Sequence, residues 1–265
     1  MISIAFTKAH GSENDFLLTW RDEAPNENLP EIARRICART TGIGADGWML
    51  VWQGTGGLHT RLFNSDGTEP EISGNGTRCA AAFAVLNGSS AAPELVITTG
   101  AGPKTLRLIS RTANGFIFEM DMGIPAVDEL RTIIHLAGTD YDATILNVGN
   151  PQCAIFVPDL PENWRSIAAE AERHPRFSHH SNVSFVTVKD RHTISAVFYE
   201  RGAGETRSSG TGSTGAGAAA ILRGESDSPL EIRGPAGALH LRWDESIFLT
   251  GPAEIIAEGR FFLDL

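Results

Sequence analysis

Two serines, Ser73 and Ser209, each stand directly before a Gly-x-Gly and an alanine-rich run. The first segment reads Phe63-Asn-Ser-Asp-Gly-Thr-Glu-Pro-Glu-Ile-Ser73-Gly-Asn-Gly-Thr-Arg-Cys-Ala-Ala-Ala, and the second reads Tyr199-Glu-Arg-Gly-Ala-Gly-Glu-Thr-Arg-Ser-Ser209-Gly-Thr-Gly-Ser-Thr-Gly-Ala-Gly-Ala. A constant offset of 136 residues pairs Glu69 with Glu205, Ser73 with Ser209, Gly74 with Gly210, Gly76 with Gly212 and Ala80 with Ala216. The same offset relates Asn14 to Asn150 and Asn64 to Glu200. A small polar residue, then glycines, then helix formers make a helix start whose first N–H groups are not covered by side chains. Those N–H groups and the helix dipole together can hold an anion. Two such ends imply one anionic group gripped from both sides, with Ser73 and Ser209 on its opposite faces.

The elements that must position these residues are mostly short strands with a few helices. Strand-like runs cover Ser3–Thr7, Trp48–Trp52, Leu58–Phe63, Glu94–Thr98, Lys104–Ile109 and Phe116–Asp121. After Gly123-Ile-Pro they resume at Thr144–Val148, Ala154–Val157, Val183–Val188, Thr193–Tyr199, Leu230–Ile232, Leu239–Arg242 and Ser246–Thr250. Helical patterns cover Pro30–Arg39, Arg78–Leu86, Glu162–Arg173 and Thr214–Leu222, with Pro30 and Pro161 as start signals. Arg78–Leu86 and Thr214–Leu222 have almost no polar face, so each is expected in the core of its own sheet-wrapped domain. The repeat predicts two domains with a break near Gly123.

Composition limits the partners. The 265 residues carry 42% apolar and 20% charged side chains, as soluble globular chains do. A net charge of −10 argues against nucleic acid and anionic membrane, which select basic surfaces. No apolar run approaches a membrane span, and the start of the chain alternates like a strand, without a signal-peptide core. Cys37, Cys79 and Cys153 are odd in number and scattered, which predicts no disulfide framework and a cytoplasmic location.

Five blocks in order, KAHGSENDF, TGIGADG, RLFNSDGTEPEISGNGTRCAAA, NVGNPQ and ERGAGETRSSGTGSTGAGAAA, resemble the diaminopimelate epimerase family over essentially the whole chain. The resemblance implies an α/β (α+β) fold of two pseudo-symmetric domains, each a curved, mostly antiparallel sheet wrapped around a central helix. The active site would lie in the cleft between them. It assigns residues 1–122, joined by a last strand near Ile255–Leu265 (254–265), to one domain and 123–253 to the other. It further implies epimerisation of diaminopimelate between LL and meso forms without a cofactor, pyridoxal phosphate or a metal, by a cytoplasmic homodimer supplying lysine and peptidoglycan precursors. By position, Gly74 and Asn75 with Gly210 and Thr211 would clamp the α-carboxylate through their backbone. Asn64 and Glu200 would hold the α-amino group, and Asn14, Asn150, Asn182 and Arg201 would read the distal end of a substrate bearing a second carboxylate. Negative charge developing on the clamped carboxylate would be stabilised electrostatically while a base and an acid work on opposite faces of Cα.

One departure bears on the chemistry. The family's proton-transfer pair is two cysteines, and Ser73 and Ser209 occupy those positions here. A thiol titrates near pH 8.5 and a helix N-terminus tunes it, whereas a serine alkoxide needs a strong base beside it. Gln152 also replaces the histidine that the family usually has after Asn-Pro. Three explanations remain open: a natural branch whose serines still transfer protons with help, a chain serving another ligand, or an engineered Cys-to-Ser pair. The rival functions are a non-catalytic amino-acid-binding homologue and a same-fold isomerase or racemase for another amino acid using a carboxylate base such as Glu200 or Glu205.

Other motifs are weaker. Gly210-Thr-Gly-Ser-Thr-Gly215 matches a dinucleotide fingerprint formally but lacks a strand ending at its first glycine. Ser213 lacks the glycine pattern and histidine of a hydrolase nucleophile. His174, His179, His180 and His192 have no zinc-like spacing. Cys79 and Cys153 read as core thiols. Asp46, Asp66 and Glu69 read as turn acids rather than partners of Ser73, and Arg78 and Arg207 as residues that tie loops down.

Overall fold

The computed structural model describes residues 2–88 and 93–263, and it divides into two compact units. Residues up to Met120 and from Gly251 onward form the first, and Asp121–Thr250 form the second. The last two residues of the strand expected near Ile255–Leu265 lie outside the described residues.

The first unit contains, in chain order, β1 (Ile2–Gly11), β2 (Asn14–Trp20), α1 (Leu29–Cys37), β3 (Gly47–Gly54), β4 (Gly57–Asn64), α2 (Gly74–Leu86), β5 (Glu94–Thr99), β6 (Gly102–Arg111) and β7 (Gly115–Gly123). The second begins with β8 (Ala126–Leu136), β9 (Thr139–Asn147), β10 (Pro151–Phe156) and α3 (Trp164–Glu172). It continues with β11 (Asn182–Asp190), β12 (Thr193–Glu200), β13 (Gly204–Thr206), α4 (Gly210–Leu222), β14 (Leu230–Gly234), β15 (Gly237–Trp243) and the start of β16 (Ile247–Leu263), whose residues from Gly251 onward belong to the first unit. The fold is mixed α+β, and most neighbouring strands run antiparallel. The parallel pairs are β2–β3, β4–β5, β10–β11 and β12–β14. A parallel pair needs a crossover, and in each case one of the four helices lies in it. The offset of 136 carries α2 onto α4 and β4 onto β12 at both ends.

Strand alternation decides which helix meets which face. In the first unit Leu17, Trp48, Leu50 and Phe63 join one apolar cluster with Leu29, Ile32 and Ile36 of α1. The intervening Phe16 and Met49 point the other way, onto Gly76 of α2. A Cβ at Gly76 would lie 2.8 Å from Met49 Cε, and one at Gly212 would lie 2.7 Å from Phe198 Cδ1. Glycine is a poor helix former, and here it lets the inner helix lie close against its sheet. In the second unit Cys153, Ile155, Val183 and Phe185 pack with Trp164, Ile167 and Ala171 of α3. The inner helices are buried along almost their whole length, as their lack of a polar face predicts.

Three differences from the sequence expectations have physical causes. β2 is buried on both faces, so it lacks the alternation that marks a strand. β8 carries register shifts at Val127/Glu129 and Glu129/Thr132, which break its alternation. Ser246–Thr250 and the segment near Ile255 are one strand: β16 pairs with β15 through Thr250 and with β1 from Glu254. The two inner helices also begin at Gly74 and Gly210, four residues ahead of the expected Arg78 and Thr214 starts.

Candidate active site

Each inner helix starts in the same way. Ser73 and Ser209 are the N-caps, with extended backbone at φ −126°, ψ 117° and φ −136°, ψ 121°. Ser73 Oγ accepts from the N–H of Gly76 at 3.1 Å, and Ser209 Oγ accepts from that of Gly212 at 3.0 Å. The first helical bonds run from Thr77 N–H to Ser73 O and from Ser213 N–H to Ser209 O. The serine cap thus takes the third N–H of each helix, and the first two belong to Gly74 and Asn75 or Gly210 and Thr211. Backbone at these positions has no helical acceptor, and the positive end of the dipole adds to its affinity for an anion.

The two caps differ in their neighbours. Ser209 is buried and its hydroxyl donates to Glu200 Oε1 at 2.6 Å. Asn64, at the matching position of the first unit, donates instead to Thr68 Oγ1 at 3.0 Å. Among the described residues no carboxylate is hydrogen-bonded to Ser73. Glu205 is engaged elsewhere, in a two-pronged pair with Arg165, as Glu69 is with Arg61.

The distal-end candidates fall into two groups. Asn14 accepts from Asn75 Nδ2 at 3.3 Å and donates to Asp46 Oδ2 at 2.7 Å. At the offset positions, Asn150 Nδ2 donates to Thr211 Oγ1 at 3.2 Å, so the link from asparagine to helix start recurs. Asn150 Oδ1 accepts from Gln152 Nε2 at 2.6 Å, and Gln152 is buried with its Oε1 unpartnered. Asn182 donates to Pro151 O and accepts from the backbone N–H of Arg201 at 3.0 Å. The Arg201 guanidinium donates to His179 O at 3.2 Å on an exposed segment.

The loop acids act as turn residues. Asp66 accepts from Thr68 N–H and hydroxyl, which holds its carboxyl below the usual range. Asp46 and Asp15 share Arg39, and Lys8 pairs with Asp15. Arg207 donates to Pro235 O, a loop tie. Cys37, Cys79 and Cys153 are buried, and desolvation pushes each thiol up to about 12. A thiol so shifted is not a nucleophile or base near neutral pH. No cluster of three metal-ligating side chains occurs among the described residues. The contact between Ser209 and Glu200 and the placement of Arg78 were not legible beforehand. The first joins residues nine apart across a hairpin, and the second needed the helix to start earlier than expected.

The α+β fold recurs in solved structures of low sequence identity, and sequence comparison gives the family, one of amino-acid epimerases. A phenazine biosynthesis protein of the PhzF family from Bacillus anthracis shares the fold at a TM-score of 0.76, with 15% identity over 99% of this chain and all of that one. A hydroxyproline epimerase from Agrobacterium vitis does so at a TM-score of 0.75, with 13% identity over 98% of this chain and 92% of that one. In sequence, the model of the family described as diaminopimelate epimerase matches residues 6–127 and 144–256. A diaminopimelate epimerase from Moorella thermoacetica is 36% identical over 98% of this chain and 99% of its own length. A diaminopimelate epimerase from a Nostoc species is 37% identical over 98% of this chain and all of its own length. The chain belongs to the diaminopimelate epimerase family.

Proposed function

We propose that the chain epimerises diaminopimelate between its LL and meso forms, with Ser73 and Ser209 at the two proton-transfer positions. Gly74 and Asn75 with Gly210 and Thr211 bind the α-carboxylate, Asn64 and Glu200 the α-ammonium, and Asn14, Asn150, Asn182 and Arg201 the distal carboxylate and amine. One group removes the Cα proton, and the C–H electron pair passes onto the clamped carboxylate. The opposite group then returns a proton to the other face of Cα. The reaction uses no cofactor or metal, and the setting is a cytoplasmic homodimer in the formation of lysine and peptidoglycan precursors. The observation that carries this reading is the matched pair of serine-capped helix starts, 136 residues apart.

The hydrogen bond from Ser209 to Glu200 favours a second reading, a one-base isomerase. In it Ser209 Oγ takes the Cα proton while its own proton passes to Glu200 Oε1, so no free alkoxide forms. Among the described residues Ser73 has no such acceptor. One experiment separates these readings: incubate diaminopimelate in deuterated solvent, follow the α-proton by NMR, and resolve the stereoisomers. Exchange with inversion supports the epimerase. Exchange with retention supports the one-base reading, and tight binding with no exchange over hours leaves a binding protein.

A further inference from the structure

Arg78 is fully buried, yet no carboxylate pairs with it among the described residues. It is the fifth residue of α2, and its side chain reaches back along the helix, as helical side chains do. Nε donates to Pro252 O at 3.0 Å, Nη2 donates to Asn75 Oδ1 at 2.5 Å, and Nη1 has no partner. Asn75 Nδ2 in turn donates to Asn14 Oδ1. Gly11 makes room for this arrangement, because a Cβ there would meet Pro252 O at 3.2 Å and Asn75 Cβ at 3.3 Å.

A buried cation without a counter-charge is expensive, and proteins keep such features mainly where they serve a site. Burial lowers the guanidinium to about 10, which still leaves it charged near neutral pH. The dipole of α2 contributes about half a positive charge at the helix start, so a whole charge beside Asn75 is the larger source of attraction. The second unit has no equivalent. Thr214 stands at the matching position and donates to Gly210 O, and α4 contains no charged residue.

We propose that Arg78 is a positioning residue of the first half-site, holding the Asn75 amide in one orientation and supplying the positive charge that draws the substrate carboxylate to the start of α2. The inference rests on the functional reading above. It divides the labour unequally: the first helix start binds by charge, and the second by backbone alone.

The test compares the intact chain with Arg78→Met, which removes charge and fork, and Arg78→Lys, which keeps the charge. Diaminopimelate binding is measured by calorimetry and thermal stability by scanning fluorimetry. Arg78→Met is expected to weaken binding tenfold or more with a Tm equal to or above that of the parent. Arg78→Lys is expected to bind within about threefold. A structural tie would behave in the opposite way, with a fall in Tm or a failure of Arg78→Met to fold, and either result overturns the proposal. So does unchanged binding by Arg78→Met, or a tenfold loss in Arg78→Lys. If the parent chain itself binds no diaminopimelate, the functional reading fails first and takes this inference with it.

Discussion

The inequality of the two serines can be measured by placing a thiol at each in turn. Ser73→Cys and Ser209→Cys are nearly isosteric changes, and both new thiols would keep a cap N–H, from Gly76 or Gly212. The helix start lowers a thiol from about 8.5 toward 7.5 or below, and this shift is common to both positions. Position 209 adds Glu200, whose Oε1 lies 2.6 Å from the present hydroxyl. Two like charges about 4 Å apart repel by about 4 kcal/mol at an effective dielectric of 20, or about three pK units. Glu200 is only half-buried, and solvent screening reduces the effect to roughly one or two units. Position 73 instead has the Arg78 cation one turn along the helix. The rate of alkylation by iodoacetamide against pH, located by mass spectrometry, reads the difference directly. The native thiols stay silent because burial pushes each to about 12. Near neutral pH the thiol at position 73 is expected to react about tenfold or more faster, given one or more pK units of separation. Equal apparent pKa values, or a lower one at position 209, would remove Glu200 as a source of asymmetry between the two positions.

Three further outcomes are expected. The double variant Ser73→Cys with Ser209→Cys should epimerise diaminopimelate faster by about 10² to 10⁴, because it restores an accessible acid and base. A rate no higher than the parent's in a chiral assay would show that the serines are not the defect. Arg201→Met should weaken diaminopimelate binding about thirtyfold or more, the loss of a charge-assisted pair, and leave lysine, which lacks the distal carboxylate, unaffected. Equal loss for both ligands in calorimetry would remove Arg201 from the distal site. Arg223 hydrogen-bonds Asp142 and holds its carboxyl below the ordinary 3.8. A lowered folded pKa gives stability that is complete above the unfolded value and lost as pH falls through the folded one. Asp142→Asn should therefore flatten the fall in Tm below about pH 5 and change its shape little above. An unchanged acid limb would count against that pair.

The repeat and the buried inner helices could be read from the sequence because their signals are local. Serine, glycine and alanine occur at fixed spacing, and a helix with no polar face has only one place to go. Strand β2 was hidden by its burial on both faces, and β8 by its two register shifts. In the site, Asn14 and Asn150 could be named from the offset, but their partners Asn75 and Thr211 lie 61 residues further along and needed coordinates. The charge states were the least legible. Glu200 and Glu205 both read as candidate bases, and only the structure separates one bonded to Ser209 from one held by Arg165. Arg78 read as a loop tie, and its bond to Pro252 O is one, but its orphaned Nη1 could not be inferred from composition or spacing.

The closing strand β16 constrains how the chain can fold as it is made. Its residues 255–263 pair with Ile2–Ala9 of β1, so β1 leaves the ribosome long before the segment that covers its edge. At about 5 to 20 residues per second, that delay lasts roughly ten to fifty seconds. During it one edge of β1 presents unpaired backbone groups, the kind of edge that recruits wrong partners. The second unit, contiguous from Asp121 to Thr250, has no such wait. Released chains truncated after Thr250 should therefore carry a protease-resistant second unit behind a first unit that is still open to cleavage.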